Sequence, residues 1–226
     1  MNPCIVSFYM SNIHPLTVDY QRRVVDKFNV SKVPHYQIQT QMRHGTSMDM
    51  FWCANGVEIE NGIKPEGFNI DHDVVMFLDI DCVPLKEMSI DFYLKEADAG
   101  RLIGSVQRSN HIENDQHLFA APSCLAIRRD VFQNMGAPTA SETFRSDVAE
   151  EYTFFAEENR VPVELIMPLK FDEAPSECPS WALKDGMQHY GRGTTFGDHL
   201  FWHSFQIFHP GQQEKFHAKC KQLLGE

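Results

Sequence analysis

Apolar and polar positions along this chain repeat with two periods, one helical and one of strict alternation, and the changes between them mark its elements. Residues 4–10 are an apolar-rich run that predicts a first strand. After the loop at His14-Pro15, Leu16, Tyr20, Val24 and Phe28 recur at helical spacing. Residues 35–42 alternate, with Tyr36, Ile38, Thr40 and Met42 on one face and His35, Gln37, Gln39 and Gln41 on the other, as in a half-buried strand. Thr46-Ser-Met-Asp49 has the form of a capping box with Asp in place of the commoner Glu, so a helix is expected to start there and to end at Gly56 or Gly62. Residues 74–78 are five consecutive apolar residues, the pattern of a strand covered on both faces. The run ends in Asp79 and Asp81, with Pro84 beyond.

Further on, Ile90, Tyr93, Leu94 and Ala97 form one helical stripe that stops at Gly100. Residues 102–106 predict a strand, and residues 123–127 another that runs into a short helix over 130–135, closed by Gly136. Residues 147–159 read as a helix and 161–167 as a strand, which Pro162 assigns to a sheet edge. The stretch 170–198 is irregular and rich in Gly, Pro and aromatics, and Trp181 and Tyr190 favour an ordered functional loop. A short strand over 200–202 and a terminal helix over 212–224 complete the reading. Strands alternating with helices predict an α/β fold with a central, mainly parallel mixed sheet flanked by helices. No linker-like segment divides residues 1–226, so one domain is expected.

Composition narrows the class. The chain has 226 residues, 42% hydrophobic and 23% charged, which is ordinary for a soluble globular protein. A formal charge of −11 argues against nucleic acid as a partner, because that binding depends on neutralising phosphates with Lys and Arg. No apolar run approaches the ~20 residues of a transmembrane helix. The first short apolar run follows no basic region, which does not fit a secretory signal. Cys4, Cys53, Cys82, Cys124, Cys178 and Cys220 are scattered, several in apolar contexts, and read as small buried hydrophobes of a reducing compartment. The expected location is cytoplasmic.

Asp79 and Asp81 bring in chemistry. Two carboxylates one residue apart at the end of a buried strand carry a desolvation cost unless a cation compensates them. In open α/β sheets ligands sit at the carboxyl ends of strands. Their oxygens suit a hard divalent cation, Mn²⁺ or Mg²⁺, that also bridges two phosphates.

The Leu-Asp-Ile-Asp81 stretch with its apolar lead resembles the metal motif of glycosyltransferases of the GT-A (Rossmann-like) fold. That resemblance implies that Asp79 and Asp81 hold the metal against the diphosphate of a nucleotide-sugar donor. About 1–110 would then form the nucleotide-binding half and about 111–226 the acceptor-binding half. The run Pro122-Ser-Cys-Leu-Ala-Ile-Arg-Arg-Asp-Val-Phe resembles the strand-to-helix passage where acceptor and donor sugar meet. Ser146-Asp-Val-Ala-Glu-Glu-Tyr opens the helix whose first acid, in inverting members, deprotonates the acceptor hydroxyl. Asp147 matches best by spacing, with Glu150 and Glu151 behind it, although the family's adjacent Glu-Asp pair is replaced here by Asp147-Val148. A histidine from a C-terminal strand completes the metal site in many members; His203 is the candidate, with His199 in reserve. Donor-base contacts would come from the ends of the first two strands, at Ser7, Tyr9, Gln41 and Arg43. In Tyr190-Gly-Arg-Gly-Thr-Thr195 the glycines allow close approach to phosphate, and Arg192 would offset its charge. The implied acceptor is a sugar, lipid-linked or protein hydroxyl.

Two other readings use the same residues. An apolar strand ending in Asp-x-Asp also resembles the first motif of haloacid-dehalogenase-type phosphatases, with Asp79 as nucleophile. Here the motif lies far from the first strand, however, and Cys82 stands where that family has Gly. A non-catalytic carbohydrate-binding protein would use Trp181, Tyr190 and Trp202 against sugar faces.

Overall fold

The computed structural model describes residues 1–53, 71–109, 111–114, 116–171, 194–204, 207–208 and 211–226. Its strands are β1 (Pro3–Met10), β2 (His35–Thr40), β3 (Val74–Leu78), β4 (Cys82–Pro84), β5 (Leu102–Arg108), β6 (Leu118–Arg128), β7 (Val163–Ile166), β8 (Pro168–Phe171), β9 (Thr194–Phe196) and β10 (Phe201–His203). The helices are α1 (Pro15–Phe28), α2 (His44–Cys53), α3 (Met88–Asp98), α4 (Arg129–Asn134), α5 (Glu150–Glu158) and α6 (Gln212–Leu224).

Six strands form a central sheet in the order β2-β1-β3-β6-β5-β7. The β1–β2, β1–β3 and β5–β7 pairs are parallel, and β6 runs antiparallel to both its neighbours. This is the mainly parallel mixed sheet that the alternation predicts. β3 lies inside it, and all five of its residues are 0% exposed, which is why its sequence carries no polar position. Val75 and Phe77 enter a core shared with Met48 and Phe51 of α2, Phe132 of α4 and Tyr152 of α5. Val74, Met76 and Leu78 enter the opposite core with Ile90, Tyr93, Leu94 and Ala97 of α3. Helices thus cover both faces. β7 is an edge strand, and Pro162 stands just before it, where no ladder bond is lost.

β4, β10, β9 and β8 form a second, antiparallel sheet in that order. Strands of three or four residues are too short to display a period, so the sequence shows no sign of this sheet apart from the apolar run at 200–202. Behind it Trp202 packs with Val24 of α1 and with Phe216 and Cys220 of α6.

Several boundaries differ from expectation: β2 ends at Thr40 rather than 42, β5 runs on to Arg108 rather than 106, and β7 spans only Val163–Ile166. α2 starts at His44, so Thr46 is not its cap. Asp49 instead reaches across the chain and accepts from Thr139 Oγ1 (2.6 Å), Ala140 N (2.5 Å) and Ser141 N and Oγ (3.2 and 2.7 Å). Gly56 and Gly62 lie outside the described residues. α5 starts at Glu150 rather than 147, because Ala149 takes a left-handed conformation (φ 62°) that breaks the helical path. β6 begins at Leu118 rather than at 123. Cys4, Cys82, Cys124 and Cys220 are buried and free of disulfides. Among the described residues no helix is long and apolar enough to cross a membrane.

Candidate metal centre

The chain passes from the six-stranded to the four-stranded sheet through the turn Asp79-Ile80-Asp81. Asp79 N donates to Ser123 O of β6 (3.0 Å), and Cys82 N donates back to Asp79 O (2.9 Å), which closes the turn. From the other side, β10 pairs antiparallel with β4 and sets His203 opposite Cys82. Ser204 then fixes Asp81 twice, donating from N to Asp81 O (3.0 Å) and from Oγ to Asp81 Oδ2 (2.9 Å).

Asp79, Asp81 and His203 each present a ligand atom within 4.8 Å of one another. His203 Nε2 lies 3.2 Å from Asp81 Oδ1 and 3.7 Å from Asp79 Oδ2. The side chains of His203 and Asp81 are 4% and 8% exposed, whereas Asp79 at 24% faces the cleft. Burial pushes the Asp81 carboxyl upward, but His203, with help from Ser204, outweighs this and holds it below the ordinary carboxylate range. For His203, burial disfavours the charge, and Asp81 and then Asp79 favour it more, so its net shift is upward.

A cleft of about 310 Å³ opens above this group. Its polar end consists of Asp79, Asp81, His203, His44, Gln107, Ser123 and Tyr9, and its walls include Phe8, Met10, Ile13, Met42, Val148, Ile207 and Phe208. Among the described residues lining it there is no Lys or Arg. One buried and one partly exposed carboxylate therefore meet at a cleft whose described lining has no Lys or Arg, and two oxygens with one imidazole nitrogen form a donor set suited to a divalent metal. These residues fit such an ion, and the partly open Asp79 side leaves room for further ligands.

The remaining residues singled out from sequence are dispersed. Tyr9 lines the cleft, whereas Ser7 is buried beneath it: Ser7 Oγ accepts from Gln21 Nε2 (2.8 Å) and meets His35 Nε2 (3.1 Å), while Gln21 also donates to Asp79 O (3.0 Å). Ser7 thus braces the metal turn from below. Gln41 and Arg43 are exposed and outside the lining, and Arg43 pairs with Glu142 at 3.7 Å. His199 sits exposed in a turn at φ 60° and does not join the cluster. Arg192, Trp181 and Tyr190 lie outside the described residues. Trp202 is fully buried against Phe216, so its ring is closed to a sugar.

The three acids around α5 have different surroundings. Asp147 is half-buried; its Oδ1 accepts from Val148 N (2.8 Å) and its Oδ2 from Gln107 Nε2 (3.3 Å), and both partners line the cleft. Glu150 is 0% exposed, accepts from Ser109 Oγ (2.8 Å) and Asp147 N (2.8 Å), and meets His117 Nδ1 at 2.6 Å. Glu151 lies in the guanidinium fork of Arg145 (2.6 to 3.2 Å) with Thr143 Oγ1 at 2.9 Å. Burial raises its carboxyl, and Arg145 with Thr143 more than reverses this. None of the three acids is itself in the cleft lining; Asp147 is joined to it through Gln107 and Val148.

Sequence reasoning missed His44, Gln107 and Ser123. Gln107 was reachable by carrying the strand at 102–106 one residue further, and Ser123 stood inside a run already singled out. His44 carried no signal.

No family model matches this chain, and no curated protein matches it. Solved structures similar to it include the catalytic domain of Drosophila beta1,4galactosyltransferase 7 in complex with xylobiose, at 13% identity and a TM-score of 0.49, covering 95% of this chain and 78% of that one. An active-site variant of LgtC is similar at 12% identity and a TM-score of 0.48, with 98% and 95% covered. A glycosyltransferase involved in glycosylation of the major capsid of PBCV-1 is similar at 12% and 0.49, with 97% and 100% covered. Likeness at this level decides nothing about activity.

Proposed function

We propose that this protein is a metal-dependent glycosyltransferase that moves a sugar from a nucleotide-diphosphate donor to an acceptor hydroxyl. The observation that carries the reading is the convergence of Asp79, Asp81 and His203, from two sheets, at the end of a cleft whose described lining has no Lys or Arg. Asp79, Asp81 and His203 would hold Mn²⁺ or Mg²⁺. When bound, the ion supplies positive charge to the departing diphosphate.

The chain's own groups have separate tasks in this reading. Asp147 takes the proton of the acceptor hydroxyl as its oxygen bonds to the anomeric carbon and the bond to the diphosphate breaks. Gln107, which lines the cleft and donates to Asp147 Oδ2, links that carboxylate to it. Tyr9 and the apolar wall beside it receive the nucleobase, and Arg192 offsets phosphate charge. Residues 1–226 act as one domain, about 1–110 taking the donor and about 111–226 the acceptor, which is a sugar, lipid-linked or protein hydroxyl. The working location is the cytoplasm.

Thermal unfolding with UDP, GDP and their sugar conjugates, each with Mn²⁺ or with EDTA, tests this. Binding to the native state at a hundredfold excess over Kd contributes about 2.7 kcal/mol, which for a chain of this size raises Tm by about 5–10 °C. A rise that needs both metal and one nucleoside diphosphate is expected. No rise with any of them would overturn the donor assignment.

A further inference from the structure

His44 and His203 face different carboxylate oxygens of Asp79. Its Nε2 is 3.5 Å from Asp79 Oδ1, while His203 Nε2 faces Asp79 Oδ2 at 3.7 Å. The His44 Nε2 atom is buried and has no hydrogen-bond partner among the described residues. A buried polar nitrogen with no partner is costly, and one aimed at a carboxylate oxygen needs an approach of only a few tenths of an ångström to form a bond.

One contact meets the ring and two others seat the helix that carries it. His44 is the first residue of α2, and its imidazole meets Phe8 edge-on, with centroids 6.2 Å apart and planes at 85°. Behind it, Gly45 packs so closely on the 140–141 backbone that an added Cβ would lie 2.8 Å from Ala140 C and Ser141 Cα. One helical turn on, Asp49 ties α2 to Thr139, Ala140 and Ser141. The side chain is therefore placed by the scaffold.

We infer that His44 is the positioning residue of the metal centre, donating its Nε2–H to Asp79 Oδ1 so that Oδ2 is presented to the ion. The inference rests on the metal site proposed above. His44 is not itself a fourth ligand, since it does not join the set of atoms within 4.8 Å of one another. Its effect is on the carboxylate: with Oδ1 occupied by a donor, Asp79 binds through one oxygen and cannot rotate to chelate through both. Partners of this kind hold a ligand in the orientation that the metal requires, and their loss typically weakens metal binding by about 10–100-fold.

Mn²⁺ titration of the protein alone, without nucleotide or acceptor, followed calorimetrically or by the loss of the free-ion EPR signal, tests this. His44→Ala is expected to weaken Mn²⁺ binding by about 10–100-fold. His44→Gln, whose amide also offers an N–H donor, is expected to restore it to within about threefold of wild type. Melting in EDTA checks folding. Should His44→Ala melt early, His44→Leu, which keeps contact with Phe8, takes its place in the comparison. Wild-type affinity in both the Ala and Leu variants would overturn the role, as would equal weakening in the Gln variant, and either result leaves the metal site standing. If the wild-type protein does not bind Mn²⁺ and Asp81→Ala behaves identically, the metal site itself is overturned and the role of His44 falls with it.

Discussion

Glu150 and Asp147 hold each other across a single turn of backbone: Glu150 Oε2 accepts the Asp147 N–H at 2.8 Å, and the Glu150 N–H donates to the Asp147 carbonyl at 3.1 Å. The pairing leaves the two carboxylates in different surroundings. The Glu150 carboxylate has no exposed surface and is engaged by Ser109 and His117 as well. The Asp147 carboxylate is half-buried and accepts from Gln107 and Val148, which line the cleft.

Asp147→Asn is accordingly expected to lower kcat by about 10²–10⁴-fold, the usual range for a general base, with donor affinity unchanged. Glu150→Gln is expected to reduce stability by about 1–3 kcal/mol, because one carboxylate oxygen becomes an amide that cannot accept from the donors around it. Steady-state kinetics and urea unfolding of both variants check this. Equal losses of kcat and donor affinity in Asp147→Asn would remove its role as base.

Asp81→Ala is expected to abolish Mn²⁺ binding and to lower transfer by about a thousandfold or more, since a bound metal contributes several kcal/mol to stabilising the transition state. Its circular dichroism should remain that of wild type, because the turn backbone is held by Ser123, Cys82 and Ser204 rather than by the carboxylate. Full activity in this variant would dismiss the metal assignment.

The donor set predicts a preference among ions. Mg²⁺ favours six oxygens in a strict octahedron, whereas His203 offers nitrogen beside two carboxylates. Mn²⁺ should therefore bind more tightly than Mg²⁺ in parallel titrations, and His203→Asp should narrow the gap. An unchanged preference in that variant would show that His203 is not a ligand.

Stability should fall as the solution is acidified, through His35. Burial, and to a lesser extent Arg22, hold its imidazole down to about 4, and its Nδ1 is sealed from solvent. Between about pH 6.5 and 4 the unfolded chain binds a proton that the folded one refuses, so the stability contributed by neutral His35 is complete above pH 6.5 and drains away below it. The loss between pH 7 and 4.5 is about 2–3 kcal/mol. Urea unfolding at the two pH values should show that much less difference in His35→Gln than in wild type.

Gly45→Ala tests how α2 is seated. The added methyl would meet Ala140 and Ser141 backbone atoms, which have no flexible side chain to yield. A loss of about 1–3 kcal/mol is expected in thermal unfolding. A neutral substitution would show that α2 is free to slide.

What the sequence made legible was whatever a core imposes on a long element. The all-apolar run of β3 and the alternation over 35–42 follow directly from burial on two faces or one, and they delivered the sheet. Asp79 and Asp81 were visible because they end an apolar run with residues that burial disfavours, whereas His203 was reached through the family resemblance, as the histidine that closes a C-terminal strand. Partners distant in sequence were not visible. Asp49 looked like half of a capping box, yet its acceptors serve backbone 91 residues away. Asp147 looked helical because nothing in the sequence shows that Ala149 turns left-handed. His44 belongs to no pattern, since a lone histidine acquires meaning only from what the fold sets beside it.

The seam between the two sheets also has a consequence for the order in which the protein is made. Asp81 and the Ser204 that fixes it are 123 residues apart, and His203 reaches the acids only when β10 closes on β4. A ribosome delivers both aspartates long before the imidazole that completes the cluster. Contacts so far apart in sequence form late. The early chain therefore carries two loosely held carboxylates and no cage, and in the proposed metal site firm capture of an ion would signal that the second sheet has closed.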